Sequence, residues 1–144
     1  MKLLLDTNII IHREASRIIN QDIGQLFRWI DRQSYQKCIH SLTIEEIKKY
    51  QDRETVATMS VKLDSYYILK TEAPQDGKIR ELSKEFDVNE NDRNDTQLIN
   101  ELYSERVDIL ITEDKKLHKK AEWLGIPHLV HTIDSYISKS ISEN

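Results

Sequence analysis

The sequence predicts a three-layer α/β/α fold around a central, mostly parallel sheet of four to five strands. Three observations predict it. Leu3-Leu4-Leu5 and Ile109-Leu110-Ile111 are apolar throughout, which suits strands buried on both faces. Longer stretches between the short apolar runs carry apolar residues at three- and four-residue spacing, the mark of amphipathic helices. Strands alternating with helices in this way imply right-handed crossovers and a parallel sheet covered on both sides. The 144 residues fit one domain, 1–144, long enough to bury a core without staples.

Taken in order, the first strand, Leu3 to Leu5, stops on Asp6, Thr7 and Asn8. Ile9 to Ile11 and then Ala15 to Gln33 read as one or two helices, with Ile18, Ile19, Ile23, Leu26, Phe27 and Ile30 as an inward stripe. Tyr35 to His40 is short and bounded by polar residues, a second strand through Cys38 and Ile39, and Ser41 opens a helix containing Ile44, Ile47 and Tyr50. Helical spacing runs from Arg53 to Tyr67 through Val56, Met59, Val61 and Leu63. Tyr67-Ile68-Leu69 is a third short strand, ended by the break around Pro74 and Gly77. Lys78 to Phe86 is helical through Ile79, Leu82 and Phe86; Val88 to Asp95 is a polar loop; and Thr96 to Arg106 is an amphipathic helix through Leu98, Ile99 and Leu102. Asp108 to Thr112 repeats the first strand's pattern and closes on Glu113 and Asp114. Lys115 to Leu124 is a helix stopped by Gly125, a good residue for the position after a helix. His128 to His131 makes a last strand and Ile133 to Ser138 a closing helix.

One cysteine, Cys38, excludes an internal disulfide and a Cys-rich zinc site and points to a reducing compartment. Asp6 interrupts the opening apolar run far short of a secretory core, and no apolar stretch approaches membrane-spanning length, so the chain reads as cytoplasmic, with no membrane partner. A formal net charge of −4 argues against a surface that binds polyanions everywhere, not against a local patch. Basic residues concentrate at Lys48-Lys49 and along Lys115 to Lys120.

Four carboxylates stand where such a fold brings chain positions together: Asp6, Glu46, Asp95 and Asp114. Each has a purely structural alternative. Asp6 suits a helix N-cap, Glu46 could complete a capping box beginning at Thr43, and Asp95 and Asp114 suit the first turn of their helices. Direction favours a site. Asp95 lies one turn before Ile99 on the buried stripe, while Asp6 and Asp114 follow strands whose ends share one crevice in a parallel sheet. Carboxylates gathered there repel one another unless a cation offsets them, and oxygen-only ligation selects magnesium or manganese. Glu45 pairs at helical spacing with Lys49, which leaves Glu46 as the better ligand of the two glutamates. Asp92 is an N-cap or a supporting acid.

Leu3-Leu4-Leu5-Asp6-Thr7-Asn8 resembles the opening motif of PIN-domain nucleases, and Ser41-Leu42-Thr43-Ile44-Glu45-Glu46 their second. Asp95-Thr96-Gln97-Leu98-Ile99 and Ile111-Thr112-Glu113-Asp114 resemble the third and fourth. Four motifs in order cover nearly the whole chain. The resemblance implies Asp6, Glu46, Asp95 and Asp114 as metal ligands and catalytic residues, with Asn8 and Thr112 as polar supports. Thr96-Gln97 departs from the small residues that often follow the third acid in relatives, which bears on how that helix packs and where Asp95 sits.

The resemblance implies a magnesium- or manganese-dependent endoribonuclease in which one or two ions activate a water for attack on an RNA phosphodiester, with no side-chain nucleophile. Lys49, Lys115 and Lys116 would hold the RNA backbone, with His12 and Arg13 further along the rim. Many relatives of bacterial toxin type are silenced by an antitoxin protein, so an antitoxin and a homodimer join RNA as expected partners. A haloacid-dehalogenase phosphatase needs an acid where Asn8 stands, and a receiver domain needs a phosphoacceptor Asp that the strand of Cys38 and Ile39 does not offer. The remaining rival is a non-catalytic PIN-like module that binds RNA or a protein.

Overall fold

A computed structural model describes residues 1–14 and 21–143. The elements in order are β1 (Lys2–Leu5), α1 (Thr7–Glu14), α2 (Gln21–Arg32), β2 (Gln36–His40), α3 (Ser41–Tyr50), α4 (Arg53–Lys62), β3 (Tyr67–Leu69), α5 (Gly77–Phe86), α6 (Glu90–Tyr103), β4 (Ile109–Ile111), α7 (Lys115–Leu124), β5 (Val130–His131) and α8 (Ile133–Glu143). Among the described residues the sheet has five strands, all parallel, in the order β3-β2-β1-β4-β5. The expected α/β/α architecture is therefore observed, at the upper end of the strand number.

Strand alternation builds the three layers. Leu3 and Leu5 face one way, into a core with Ile9, Ile23, Phe27 and Tyr136, while Leu4 faces the other, against Ile79, Leu98, Ile99 and Leu117. All three leucines are fully buried, as their unbroken apolar run predicts. Ile23, Leu26, Phe27 and Ile30 of the expected α2 stripe are buried too; Ile18, Ile19 and the rest of 15–20 lie outside the described residues.

Several boundaries differ from expectation. The helix expected from Arg53 to Tyr67 ends at Lys62, with a 3-10 turn over Leu63–Ser65 before β3; the helix expected to run to Arg106 ends at Tyr103; and the strand expected from His128 is only Val130–His131, behind a 3-10 turn at Pro127–Leu129. One further difference has a plain physical cause. Val88 to Asp95 is not a loop throughout: α6 begins at Glu90, its N-cap being Asn89, whose side chain accepts from the Asp92 N–H at 2.8 Å. Asp92 returns the favour by accepting from the Val88 N–H at 3.1 Å, so it is a capping partner inside the helix rather than the N-cap. The first two turns are polar because the site lies over them, and apolar periodicity begins only at Leu98. At the other end α8 runs on to Glu143 past the expected stop at Ser138.

Buried polar ties fix α6. The Lys120 ammonium donates to the Asp92 carbonyl at 2.8 Å and the Thr96 hydroxyl at 3.0 Å and lies 3.0 Å from the Asp87 carboxylate. Lys120 is thus drawn out of the basic run of Lys115 to Lys120 and into the fold. Farther along, Glu101 is fully buried and accepts from His40, the Ala73 N–H and Gln97. His40 Nδ1 accepts from the Leu42 N–H at the start of α3, so its proton is on Nε2 and donates to Glu101. Burial pushes the Glu101 carboxyl up, but these hydrogen bonds, led by His40, outweigh it and hold it below the usual range. Thr96 and Gln97, the departures from small residues, are thereby accounted for: Thr96 donates to Asp87 and Gln97 to Ala73 and Glu101.

Lys120→Met should therefore cost about 3–5 kcal/mol in urea unfolding, because it leaves the Asp87 charge buried and unpaired, whereas exposed Lys119→Met should stay within about 0.5 kcal/mol. Equal small losses would contradict the buried pair.

Candidate functional site

Strand order reverses between β1 and β4, the switch point at which an open α/β sheet leaves a crevice beyond its strand ends. Leu5 lies beside Ile111 in the parallel register, so Asp6 and Thr112, the next residues on each strand, meet there. Neighbouring β1 and β4 satisfy the expectation that the ends of these two strands share one crevice. The pocket at this point is lined by Asp6, Thr7, Asn8, Ile11, Glu46, Asn91, Asp95 and Asp114, with Gln51 at its edge.

Asp6 is buried, 7 % exposed, and both carboxylate oxygens are engaged: Oδ1 accepts from the Thr7 N–H at 2.7 Å and Oδ2 from the Thr112 hydroxyl at 2.7 Å. Burial raises its pKa against the lowering effect of those bonds, and Asp114 and Glu46 raise it further. Thr112 also accepts from the Asp114 N–H at 3.0 Å, so one buried hydroxyl orients the start of both acids' segments. Asn8 is exposed and lines the pocket.

Glu46 does not close a capping box. The N-cap of α3 is His40, and Glu46 instead accepts from the Thr7 hydroxyl at 2.8 Å and the Asn94 amide at 3.1 Å. Glu45 is exposed and lines an adjacent pocket with Lys49 and Glu90, which Glu46 borders as well. Asp114 is both pocket wall and N-cap: its Oδ1 accepts from the Lys116 N–H at 2.9 Å.

Asp95 stands a turn and a half inside α6, not in its first turn, so the helix-terminus alternative loses its geometry. It is half-buried and makes no side-chain hydrogen bond among the described residues. Burial first, then repulsion from Asp6, and less strongly from Asp114 and Glu46, push its carboxyl up to about 7 despite nearby Lys120.

Of the residues expected to hold substrate, Lys116 lies 3.7 Å from Asp92 with its side chain 71 % exposed, Lys49 lies 3.7 Å from Glu90, and Lys115 is exposed. Arg13 stacks over the Phe27 ring at 4.7 Å, and the His12 side chain is outside the described ones. Thr7, Asn91 and Asn94 join the predicted acids at the site. Thr7 directly follows a strand-ending acid, a usable local signal; Asn91 and Asn94 lie in the polar start of α6, which carries no apolar periodicity.

Donor chemistry here is all oxygen and suits a hard divalent cation; the Asp6 and Asp95 carboxyls are raised first by burial and then by neighbouring acids, and a bound cation would offset both. Lining one pocket is a weaker condition than ligation. Among the described residues no three His, Cys, Asp or Glu side chains are arranged to hold a metal ion, so an ion in this pocket would be held partly through water.

The sequence profile described as the PIN domain matches residues 2–116. Among solved structures, the chain is similar to a PilT N-terminus domain protein from the hyperthermophilic archaeon Sulfolobus solfataricus P2, with 19 % identity, 97 % of this chain and 93 % of that chain covered, and a TM-score of 0.51. At that identity the likeness concerns the fold. No curated protein matches the chain.

A carboxyl raised from 3.8 to about 7 keeps a proton in the folded state that the unfolded chain has already released, so its contribution to stability is present at low pH and fades as pH rises through that window. In chelator, Asp95→Asn should come closest to the wild type at the acid end, near about pH 4, gain on it steadily as pH rises, and exceed it near about pH 8 by on the order of 1–2 kcal/mol, since a half-buried group relaxes toward solvent. Asp6 titrates in both proteins, so the difference between the two urea series reports Asp95 together with its coupling to Asp6. A variant less stable at both pH values would remove Asp95 from the repelling set.

Proposed function

Because the chain belongs to the PIN-domain family, whose profile it matches over residues 2–116, we propose that it is a metal-dependent endoribonuclease whose site is the pocket of Asp6, Glu46, Asp95 and Asp114. PIN domains commonly are metal-dependent nucleases. The observation that carries the assignment is geometric: Asp6, Glu46, Asp95 and Asp114 line one pocket beyond the ends of β1 and β4, and the Asp6 and Asp95 carboxyls are raised there by burial and then by their acidic neighbours.

Magnesium or manganese, when bound, supplies an acidified water and neutralises charge on the phosphate. The chain's own groups prepare for it. Thr112 and the Thr7 N–H hold the Asp6 carboxylate at the mouth of β1, and Thr7 with Asn94 clamps Glu46 from two helices. Lys49, Lys115 and Lys116 would hold the RNA backbone; the ion pairs of Lys49 and Lys116 are exposed and long, worth little against a phosphate. An antitoxin or other protein inhibitor would act by covering this pocket.

The second reading, a PIN-like module that binds RNA or a protein without cutting, is favoured by one observation, the lack of a ready-made three-residue ligand set among the described residues. Incubation of RNA with the protein and manganese or magnesium, with and without chelator, decides. Asp6→Asn should abolish cleavage while RNA binding persists or tightens, because a negative charge facing phosphate is gone. Glu46→Gln should cost on the order of a hundredfold in rate and Glu45→Gln almost nothing. The reverse ranking would move the ligand to Glu45, and wild-type protein that binds RNA yet never cuts it would establish the second reading.

A further inference from the structure

Trp123 and Phe86 form an edge-to-face pair, centroids 6.4 Å apart at 85°, on the outer side of α5 and α7. The Lys78 ammonium lies 4.6 Å from the Trp123 ring centre. A pocket beside the pair is lined by Phe86, Val88, Asp92, Lys116, Lys119 and Lys120. Val88 is 84 % exposed and Trp123 36 %, so apolar surface stands beside the lysines here. Lys116, Lys119 and Trp123 follow at three- and four-residue spacing and share one face of α7. The Lys120 charge is already taken by Asp87 within the fold, whereas Lys78 and Lys119 stand at the surface.

We infer that Trp123 and Phe86, flanked by Lys78, Lys116 and Lys119, form a platform on which single-stranded RNA leaving the carboxylate pocket stacks a base and neutralises its phosphates. Continuity argues for this occupant. Asp114 caps the N-terminus of α7 and lines the carboxylate pocket, and Trp123 stands on the same helix about 13 Å further along. A strand crossing from one to the other would pass Lys116 and then Lys119. Aromatic faces beside a basic track serve single strands in particular, because an unpaired base offers its ring face to any aromatic side chain. The platform deepens the nuclease reading and rests on it for the direction of the strand, and an acidic protein segment is the competing occupant.

The test uses fluorescein-labelled single-stranded oligoribonucleotides of about 12 and about 4 nucleotides. Binding is followed by anisotropy in chelator and cleavage with manganese. Trp123→Ala should raise Kd and KM for the longer strand roughly tenfold, leave kcat unchanged and leave the shorter strand unaffected. Trp123→Phe should restore most of the loss. Lys119→Gln, at an exposed position that keeps the fold, should reduce the salt dependence of binding by about one unit of slope. Wild-type affinity for the longer strand in Trp123→Ala and Lys119→Gln, equal losses for both lengths, or loss of binding only to a glutamate-rich peptide would each overturn the platform. Wild-type protein that binds through Trp123 but never cleaves would sink the nuclease reading alone; cleavage with KM unchanged in both variants would sink the platform alone.

Discussion

Parallel pairing of β1 with β4, Leu5 beside Ile111, is the constraint on which the pocket depends. It brings the Thr112 hydroxyl to 2.7 Å from the Asp6 carboxylate and starts α1 and α7 from adjacent strand ends, so that Thr7 and Asp114 flank the same crevice. The pairing holds because both strands are buried on both faces, Leu4 and Leu110 toward α5, α6 and α7, and Leu3, Leu5 and Ile111 toward α1, α2 and α8. A polar residue inside either strand would cost burial on a whole layer, whereas the residue just past the strand end is free to be an acid.

The acids themselves work against folding. Asp6 and Asp95 are both displaced toward the protonated form, first by burial, and then Asp6 by Asp114 and Glu46, and Asp95 by Asp6, Asp114 and Glu46. The fold opposes that cost with hydrogen bonds to three of the four acids: Thr7 and Thr112 to Asp6, Thr7 and Asn94 to Glu46, and the Lys116 N–H to Asp114. Among the described residues Asp95 accepts no such bond, and burial followed by repulsion from Asp6 raises its carboxyl to about 7. The helix that presents it is held from behind by Lys120, Asp87 and Thr96, and more deeply by Glu101 with His40. Buried polar ties of this kind are expensive to break singly, which keeps α6 from turning Asp95 away from the pocket.

Much of this was legible in the residues. Strands buried on both faces announce themselves as unbroken apolar runs, and Gly125 ends α7 with a left-handed φ of 77°, as its position suggests. The four acids were legible because three of them follow or face such runs. What stayed hidden were interactions between segments distant in sequence. The start of α6 has no apolar periodicity, and only Asn89 and Asp92, three apart, signalled the cap. Lys120 looks like its neighbours in a basic run, and nothing local says that its partner is Asp87, thirty-odd residues earlier, rather than solvent. Glu46 resembled a capping residue because Thr43 sits three before it, but α3 had already been capped by His40.

On the proposed function, the pocket of Asp6, Glu46, Asp95 and Asp114 holds a divalent cation. Anomalous diffraction from crystals soaked in manganese tests this most directly, since the ion reports its own position. A peak is expected inside that pocket, with at least Asp6 and Asp95 among the nearest side chains. Manganese bound only elsewhere, or a pocket that stays free of metal in crystals of protein competent to cut RNA, would contradict it.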